Sequence, residues 1–148
     1  LWFGKGAEED MSRHGYTDDH EGGQLAMWRG VIASATRGKR GQAFFRALLE
    51  ALDAMPDKRL VQGELQTEEG AVCALGCLGK AKGIDVSELD THDWDDLGET
   101  FNIAPQLAQE VMFVNDDMWH LSSAEARWKL VRDWAARQIV PAAAELEP

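Results

Sequence analysis

The chain has 148 residues, of which 45% are hydrophobic and 28% charged, and this composition is typical of one globular domain. A domain of this size buries enough apolar surface to fold without a disulfide or a structural metal. We expect no membrane span, because no apolar run approaches ~20 residues, and no secretory signal, because the first residues are not a basic segment followed by an apolar one. The net charge of -11 argues against nucleic acid as a partner. These features predict a protein that is neither secreted nor inserted in a membrane.

The sequence predicts three segments. Residues 1–10 precede Met11, and we expect them to be an upstream extension. Residues 11–140 are predicted to form a single, mainly α-helical domain, a bundle of about six helices. The Ala, Glu and Pro residues of 141–148 predict a mobile tail.

Local patterns predict the six helices. Apolar residues that recur at intervals of three and four indicate amphipathic helices. The first five predicted helices span 24–36, 42–55, 75–82, 94–101 and 105–114. Gly83 suits the left-handed C-terminus of the third helix, and Pro105 suits the first turn of the fifth. Ser122 and Glu125 form a capping-box pattern that predicts the start of the sixth helix, which Pro141 ends.

Three stretches between the helices interrupt this pattern. The residues 37–41 are predicted to form the turn after the first helix, and 115–117 are predicted to end the fifth. Apolar and polar residues alternate on both sides of a turn at 67–70, where Gly70 supplies flexibility. The stretch 60–74 is therefore compatible with one small β-hairpin.

The two cysteines, Cys73 and Cys77, are best interpreted as small buried thiols. On one helix they would share a face, but their side chains would aim poorly for a disulfide. The four histidines show no spacing that completes a zinc site, and no familiar catalytic motif is present. We therefore predict no metal, no cofactor and no catalytic residue, and an enzyme is the less favoured class.

The most specific local motif is the basic turn Arg37, Gly38, Lys39, Arg40 and Gly41. Its three cations, two glycines and adjoining helix N-terminus could cradle a phosphate or carboxylate. An ordinary turn with solvated cations explains the same residues. We keep an anion-binding or nucleic-acid-binding module that uses this turn as the alternative functional hypothesis.

The net negative charge is concentrated in one stretch. Residues 63–117 hold two basic and thirteen acidic side chains, whereas 11–62 hold eight basic and six acidic ones. Within the acidic stretch, Asp93, Asp95 and Asp96 are candidates for contact with a basic partner. Trp119 is a candidate aromatic anchor, since aromatic residues dominate binding hot spots. Helix capping by the acids and packing of Trp119 over a helix end remain the alternatives.

Five segments of the chain are similar to proteins of one group. They are Met-Ser-Arg-His-Gly-Tyr at 11–16, Arg-Gly-Lys-Arg-Gly-Gln-Ala-Phe at 37–44, Leu-Asp-Ala-Met-Pro at 52–56, Val-Cys-Ala-Leu-Gly at 72–76 and Asn-Asp at 115–116. With these segments the chain from Met11 to Ile139 resembles a group of uncharacterised proteins encoded in bacteriophages and prophages of proteobacteria. The Cys-Ala-Leu-Gly and Asn-Asp pair also resembles a broader bacterial domain of unknown function.

The resemblance implies a phage genomic context and action in the cytoplasm of the bacterial host. It carries no activity. Small acidic phage proteins often bind host or defence machinery, and the leading hypothesis is therefore an accessory protein or an inhibitor that binds a host or defence protein with a basic surface.

Overall fold

The computed structural model describes residues 22–117 and 123–141. This part of the chain forms a single, mainly α bundle of six helices, as predicted. They are α1 (Gly22–Arg37), α2 (Lys39–Ala54), α3 (Ala74–Lys82), α4 (Trp94–Phe101), α5 (Pro105–Asp116) and α6 (Ala124–Gln138), with a short 3-10 helix (Val86–Glu88) before α4. No helix of the described ranges is long and apolar enough to cross a bilayer. The predicted extension 1–10 and the tail 142–148 lie outside the described residues.

Two central helices organise the core. Helix α2 packs against α1, α3 and α6, and α5 packs against α1, α3 and α4. The apolar stripe of α2 places Phe45 edge-on to Trp134 of α6, with 5.2 Å between the ring centroids. Leu107 and Val111 of α5 are fully buried. The helices form because each has one apolar stripe to bury, which is the pattern that predicted them.

The junction between α1 and α2 is shorter than predicted. Gly38 alone separates the helices, in an extended conformation with φ -69° and ψ 170°. Its N–H donates to the carbonyl of Ser34, and its own carbonyl accepts from Gln42 N at 2.9 Å. The prediction of a turn over 37–41 is therefore wrong in extent, because the last three of its residues form the first turn of α2.

Two predicted helix ends also differ from the structure. Helix α5 continues through Asn115 and Asp116, which are both buried, whereas the sequence predicted that they end it. Helix α6 is capped by Ser123, whose hydroxyl accepts from Ala126 N at 3.0 Å, one residue later than the predicted cap at Ser122. Polar residues near helix ends are ambiguous in sequence because caps and buried partners have the same composition.

The stretch 60–74 contains a turn but no strand, so the β-hairpin that its sequence would allow does not form. Within the described residues, pairing is limited to one antiparallel bridge between Gln66 and Val72. The turn lies where it was expected, with Thr67 N bonded to the carbonyl of Ala71 at 2.8 Å and with Gly70 at a φ of 92°. Leu65 and Val72 are buried beneath it. The stretch is thus a loop that covers the core, and we call it the covering loop.

Side chains at the end of α5 satisfy the backbone of the covering loop. Asn115 donates from Nδ2 to the carbonyl of Val61 at 2.9 Å and accepts from Ala74 N at 3.0 Å. Asp116 accepts from Gly63 N at 3.1 Å. Because these backbone groups already have partners, the loop does not need a sheet ladder.

A buried arginine holds the covering loop from the other side. Arg127 of α6 donates to the carbonyl of Leu60 at 3.2 Å and to the side-chain oxygen of Gln62 at 3.4 Å. The amide nitrogen of Gln62 donates in turn to the backbone carbonyl of Asp116 at 2.8 Å. The loop is therefore tied to α5 and α6 by one connected set of hydrogen bonds.

Replacing Asn115 by Ala should lower the free energy of unfolding by about 2 to 4 kcal/mol, because it leaves the Ala74 N–H and the Val61 carbonyl without partners. Chemical denaturation followed by tryptophan fluorescence measures the loss. Gln106→Ala on the same helix is the control. Gln106 is half-buried, and its side chain makes no hydrogen bond within the described part of the chain. It should change the value by less than about 0.5 kcal/mol. Equal losses in both variants would contradict this account.

Candidate functional site

Five carboxylates lie on α4 and the turn before it. They are Asp90, Asp93, Asp95, Asp96 and Glu99, and we call them the acidic surface. Four are exposed and Asp96 is half-buried. Helix α4 forms here because an Asp is a good N-cap and because acidic groups in a first turn interact favourably with the helix dipole.

Backbone amides hold two of these carboxylates in place. Asp93 accepts from Asp96 N at 3.0 Å and is the N-cap of α4. Asp90 accepts from His92 N at 2.9 Å. Asp85, just upstream, is held in the same way, and the hydrogen bonds from Ser87 lower the pKa of its carboxyl. The orientation of Asp90 and Asp93 is thus fixed by the local backbone.

Cations do not neutralise the acidic surface. The sequence contains no Lys or Arg between Lys82 and Arg127. In the described residues, the one ion pair of this surface joins Asp90 to the ring of His92 at 3.7 Å, and both side chains are more than 60% exposed. The negative charge of the surface is therefore available to solvent.

Some carboxylates elsewhere in the bundle are paired with a Lys or Arg side chain. Asp53 of α2 accepts two hydrogen bonds from the guanidinium of Arg132 on α6, at 2.9 and 3.1 Å. The first cause of the lowered pKa of Asp53 is this hydrogen bonding. The lack of cations on α4 is thus a local property rather than one of the whole chain.

A hollow of about 570 Å³ opens between the start of α4 and α5. Asp90, Asp93 and Asp95 line it on one side, and Gln106 and Gln109 of α5 line it on the other. A carboxylate and an amide oxygen both accept hydrogen bonds from Lys or Arg. The hollow therefore has the lining that a single basic side chain would need.

The structure brings together three of the four predicted partner-binding residues. Asp93, Asp95 and Asp96 lie on the first turn of α4, and the capping role that was their alternative interpretation is confirmed for Asp93. Trp119 lies outside the described residues. Sequence reasoning missed Asp90 and Glu99, although the long interval without Lys or Arg could have indicated them.

The predicted anion-binding turn is divided between two places. Lys39, Arg40 and Gly41 border a crevice of about 270 Å³ beside Ile103. Arg40 donates to the side chain of Asn102 at 3.3 Å. Arg37 instead lines a different depression, next to α5 and the end of α6. Whether the turn binds an anion stays a prediction, but Arg37 does not line the crevice that Gly38, Lys39, Arg40 and Gly41 share.

The packing of α1 against α2 explains why residue 41 is a glycine, which the sequence did not reveal. Gly41 is buried, and a Cβ added to it would overlap the carbonyl oxygens of Ala35 and Thr36 in α1. Its φ is not positive, since the positive-φ glycines of the described residues are Gly63, Gly70 and Gly83. The predicted left-handed C-terminus of α3 at Gly83 is confirmed, with a φ of 74°.

Both thiols are buried, as predicted. Cys73 is the N-cap of α3 and accepts from Gly76 N at 3.4 Å. Cys77 borders a mainly apolar depression of about 730 Å³ between α2, α3 and the covering loop. Burial raises the pKa of the Cys77 thiol to about 11. It is therefore protonated at neutral pH and is a poor nucleophile.

The described residues contain no group of three His, Cys, Asp or Glu side chains placed to hold a metal ion. Comparison with protein-family models, curated proteins and solved structures finds no match to this chain.

Gly41→Ala should destabilise the protein by about 2 kcal/mol, because the new methyl group overlaps the backbone of α1 and forces the two helices apart. Thermal unfolding monitored by circular dichroism measures the change. Gly30→Ala is the matched control, since nothing lies within 4 Å of a Cβ at this exposed helical position. It should stabilise α1 by about 0.5 to 1 kcal/mol. An unchanged melting temperature for Gly41→Ala would show that α1 and α2 do not pack as described.

The stability advantage of the wild type over Cys77→Ala should shrink as the pH rises from about 9 to about 11. The thiol ionises near its ordinary pKa of 9.0 in the unfolded chain but near about 11 in the folded one. The unfolded state thus loses its proton first, and rising pH favours it over the folded state in this range. Denaturation of both proteins at several pH values tests this. A constant difference between pH 8 and 11 would contradict the burial of the thiol.

Proposed function

We propose that this protein is an accessory protein that binds a basic surface of another protein through the acidic surface of α4. The observation that carries the proposal is a set of five carboxylates, none of which forms an ion pair with a Lys or Arg in the described residues. Like charges this close repel one another, and a partner that supplies cations relieves that repulsion. Glu99 is destabilised separately, because it lies near the C-terminal end of α4, where the helix dipole disfavours a negative charge.

The geometry of the acidic surface supports rapid and specific association. Asp90 and Asp93 are oriented by backbone amides, so little side-chain freedom is lost when a partner binds. The hollow beside them accepts one Lys or Arg side chain. The remaining carboxylates contribute a field that attracts a basic partner before contact.

The resemblance to phage-encoded proteins favours a host or defence protein as the partner, in the cytoplasm of the bacterial host. Basic surfaces of such proteins commonly contact nucleic acid. An acidic protein that covers one of them competes with that nucleic acid, and inhibition is the consequence that we propose.

Neutralising the acidic surface should slow association with the partner by about tenfold or more at low salt. The variant is Asp93→Ser, Asp95→Asn, Asp96→Asn and Glu99→Gln, in which Ser preserves the N-cap of α4. Partners are captured on the immobilised wild type from a bacterial lysate and identified by mass spectrometry. Association rates of each captured protein are then measured against ionic strength.

The control neutralises three exposed acids of the covering loop, one fewer than the α4 variant, through Glu64→Gln, Glu68→Gln and Glu69→Gln. The proposal expects this variant to retain the partner with nearly the wild-type rate and salt dependence. If no protein distinguishes the control from the α4 variant, the acidic surface is not the binding site.

A further inference from the structure

A second charged surface lies where α1, α5 and the chain after α6 meet, and no residue of α4 contributes to it. It is a groove of about 780 Å³. Arg29 and Arg37 line it from α1, and Arg137 lines it from the last turn of α6. All three side chains are exposed. We call it the arginine groove.

The three arginines have no carboxylate partner. Within residues 22–117 and 123–141, none of the three side chains makes a hydrogen bond or an ion pair. This holds although the chain has 26 acidic and 15 basic residues. Arg59 and Arg132, by contrast, each pair with a carboxylate at 3.3 and 2.9 Å. In so acidic a protein, three unpaired guanidinium groups on one groove leave a local excess of positive charge.

The two walls of the groove are fixed relative to each other by Gln42, which is only 5% exposed. Its amide nitrogen donates to the carbonyls of Thr36 at 2.9 Å and Gln138 at 2.8 Å, and its oxygen accepts from Val140 N at 2.7 Å. Arg46 donates to the carbonyl of Val140 at 3.0 Å. The groove therefore exists before a ligand binds, which lowers the entropy lost on binding.

The lining between the arginines is mixed in character. Ile32, Ile139 and Val140 are apolar, whereas Glu110 is acidic. A nucleic acid carries a charge at every nucleotide and would meet Glu110 as well as the net charge of -11. In a peptide whose acidic residues are separated by apolar ones, the carboxylates can lie at the arginines, and the residues between them carry no charge. A planar guanidinium also binds a carboxylate through two parallel hydrogen bonds.

We propose that the arginine groove binds an extended acidic peptide of a partner protein, in which Asp or Glu residues alternate with apolar ones. The carboxylates contact Arg29, Arg37 and Arg137, and an apolar side chain of the peptide packs on Ile32 and Val140. This surface is separate from the acidic surface, so the protein has two binding sites of opposite charge.

The test uses a fluorescein-labelled peptide, Gly-Glu-Leu-Glu-Leu-Glu-Gly with blocked ends, titrated with the full chain and followed by fluorescence anisotropy. Arg37→Gln with Arg137→Gln removes one cation from each wall and should weaken peptide binding by at least about tenfold. The control pair, Lys80→Gln with Lys82→Gln, makes the same change in net charge on exposed side chains of α3. It should weaken binding by less than about twofold.

Further measurements decide the proposal. An analogue with Gln in place of each Glu should bind at least about tenfold more weakly than the acidic peptide. Equal weakening by both pairs of variants, or no peptide binding at about 1 mM, overturns the proposal, since specific sites bind more tightly than this. Tighter binding of a labelled octathymidylate also overturns it and assigns the groove to nucleic acid. The melting temperatures of both double variants should match the wild type, because none of the four side chains makes an ion pair within the described residues.

Discussion

The fold depends on two adjacent polar side chains buried at the end of α5. Asn115 and Asp116 bond to the backbone of the covering loop, and through it to the start of α3 at Ala74 N. The loop in turn buries Leu60 and Leu65 against the helices. Because a partly satisfied buried network costs more than an apolar core, these hydrogen bonds must form together. This requirement selects one arrangement of α3, α5 and α6 from the many that apolar stripes alone would allow.

The sequence predicted the helices because their signals are local. The spacing of apolar residues on α2 and the left-handed Gly83 need no knowledge of distant partners. The prediction that α5 ends before Asn115 and the prediction of a β-hairpin at 60–74 were wrong for the same reason. Asn and Asp favour helix ends and turns in isolation, but Asn115 lies 54 residues from the Val61 carbonyl that it binds. The segments 72–76 and 115–116 both resemble the same bacterial domain of unknown function. In the structure a hydrogen bond of 3.0 Å links them, from Ala74 N to the side chain of Asn115, and no local pattern reveals it.

The candidate sites were predictable in part. Composition indicated the acids of α4, since charge is counted along the chain. It could not place Gln106 and Gln109 across the hollow, because these belong to another helix. The basic turn shows the opposite error, in which neighbours in sequence do not share a surface. Arg37 lies on the same groove as Arg137, one hundred positions later, while Lys39 borders a separate crevice.

Hydrogen bonds hold the backbone beneath each of the two charged surfaces. A backbone amide of α4 orients Asp93, and Gln42 holds the end of α6 beside α1. The two charged surfaces act on a partner over different distances. The net charge of -11 reinforces the acidic surface at long range and opposes the approach of any anion to the arginine groove. Physiological salt screens exposed charges beyond about 8 Å. The acidic surface therefore acts largely on the rate at which a basic partner approaches, whereas the arginine groove can act only on what is already in contact, through the geometry of its guanidinium groups.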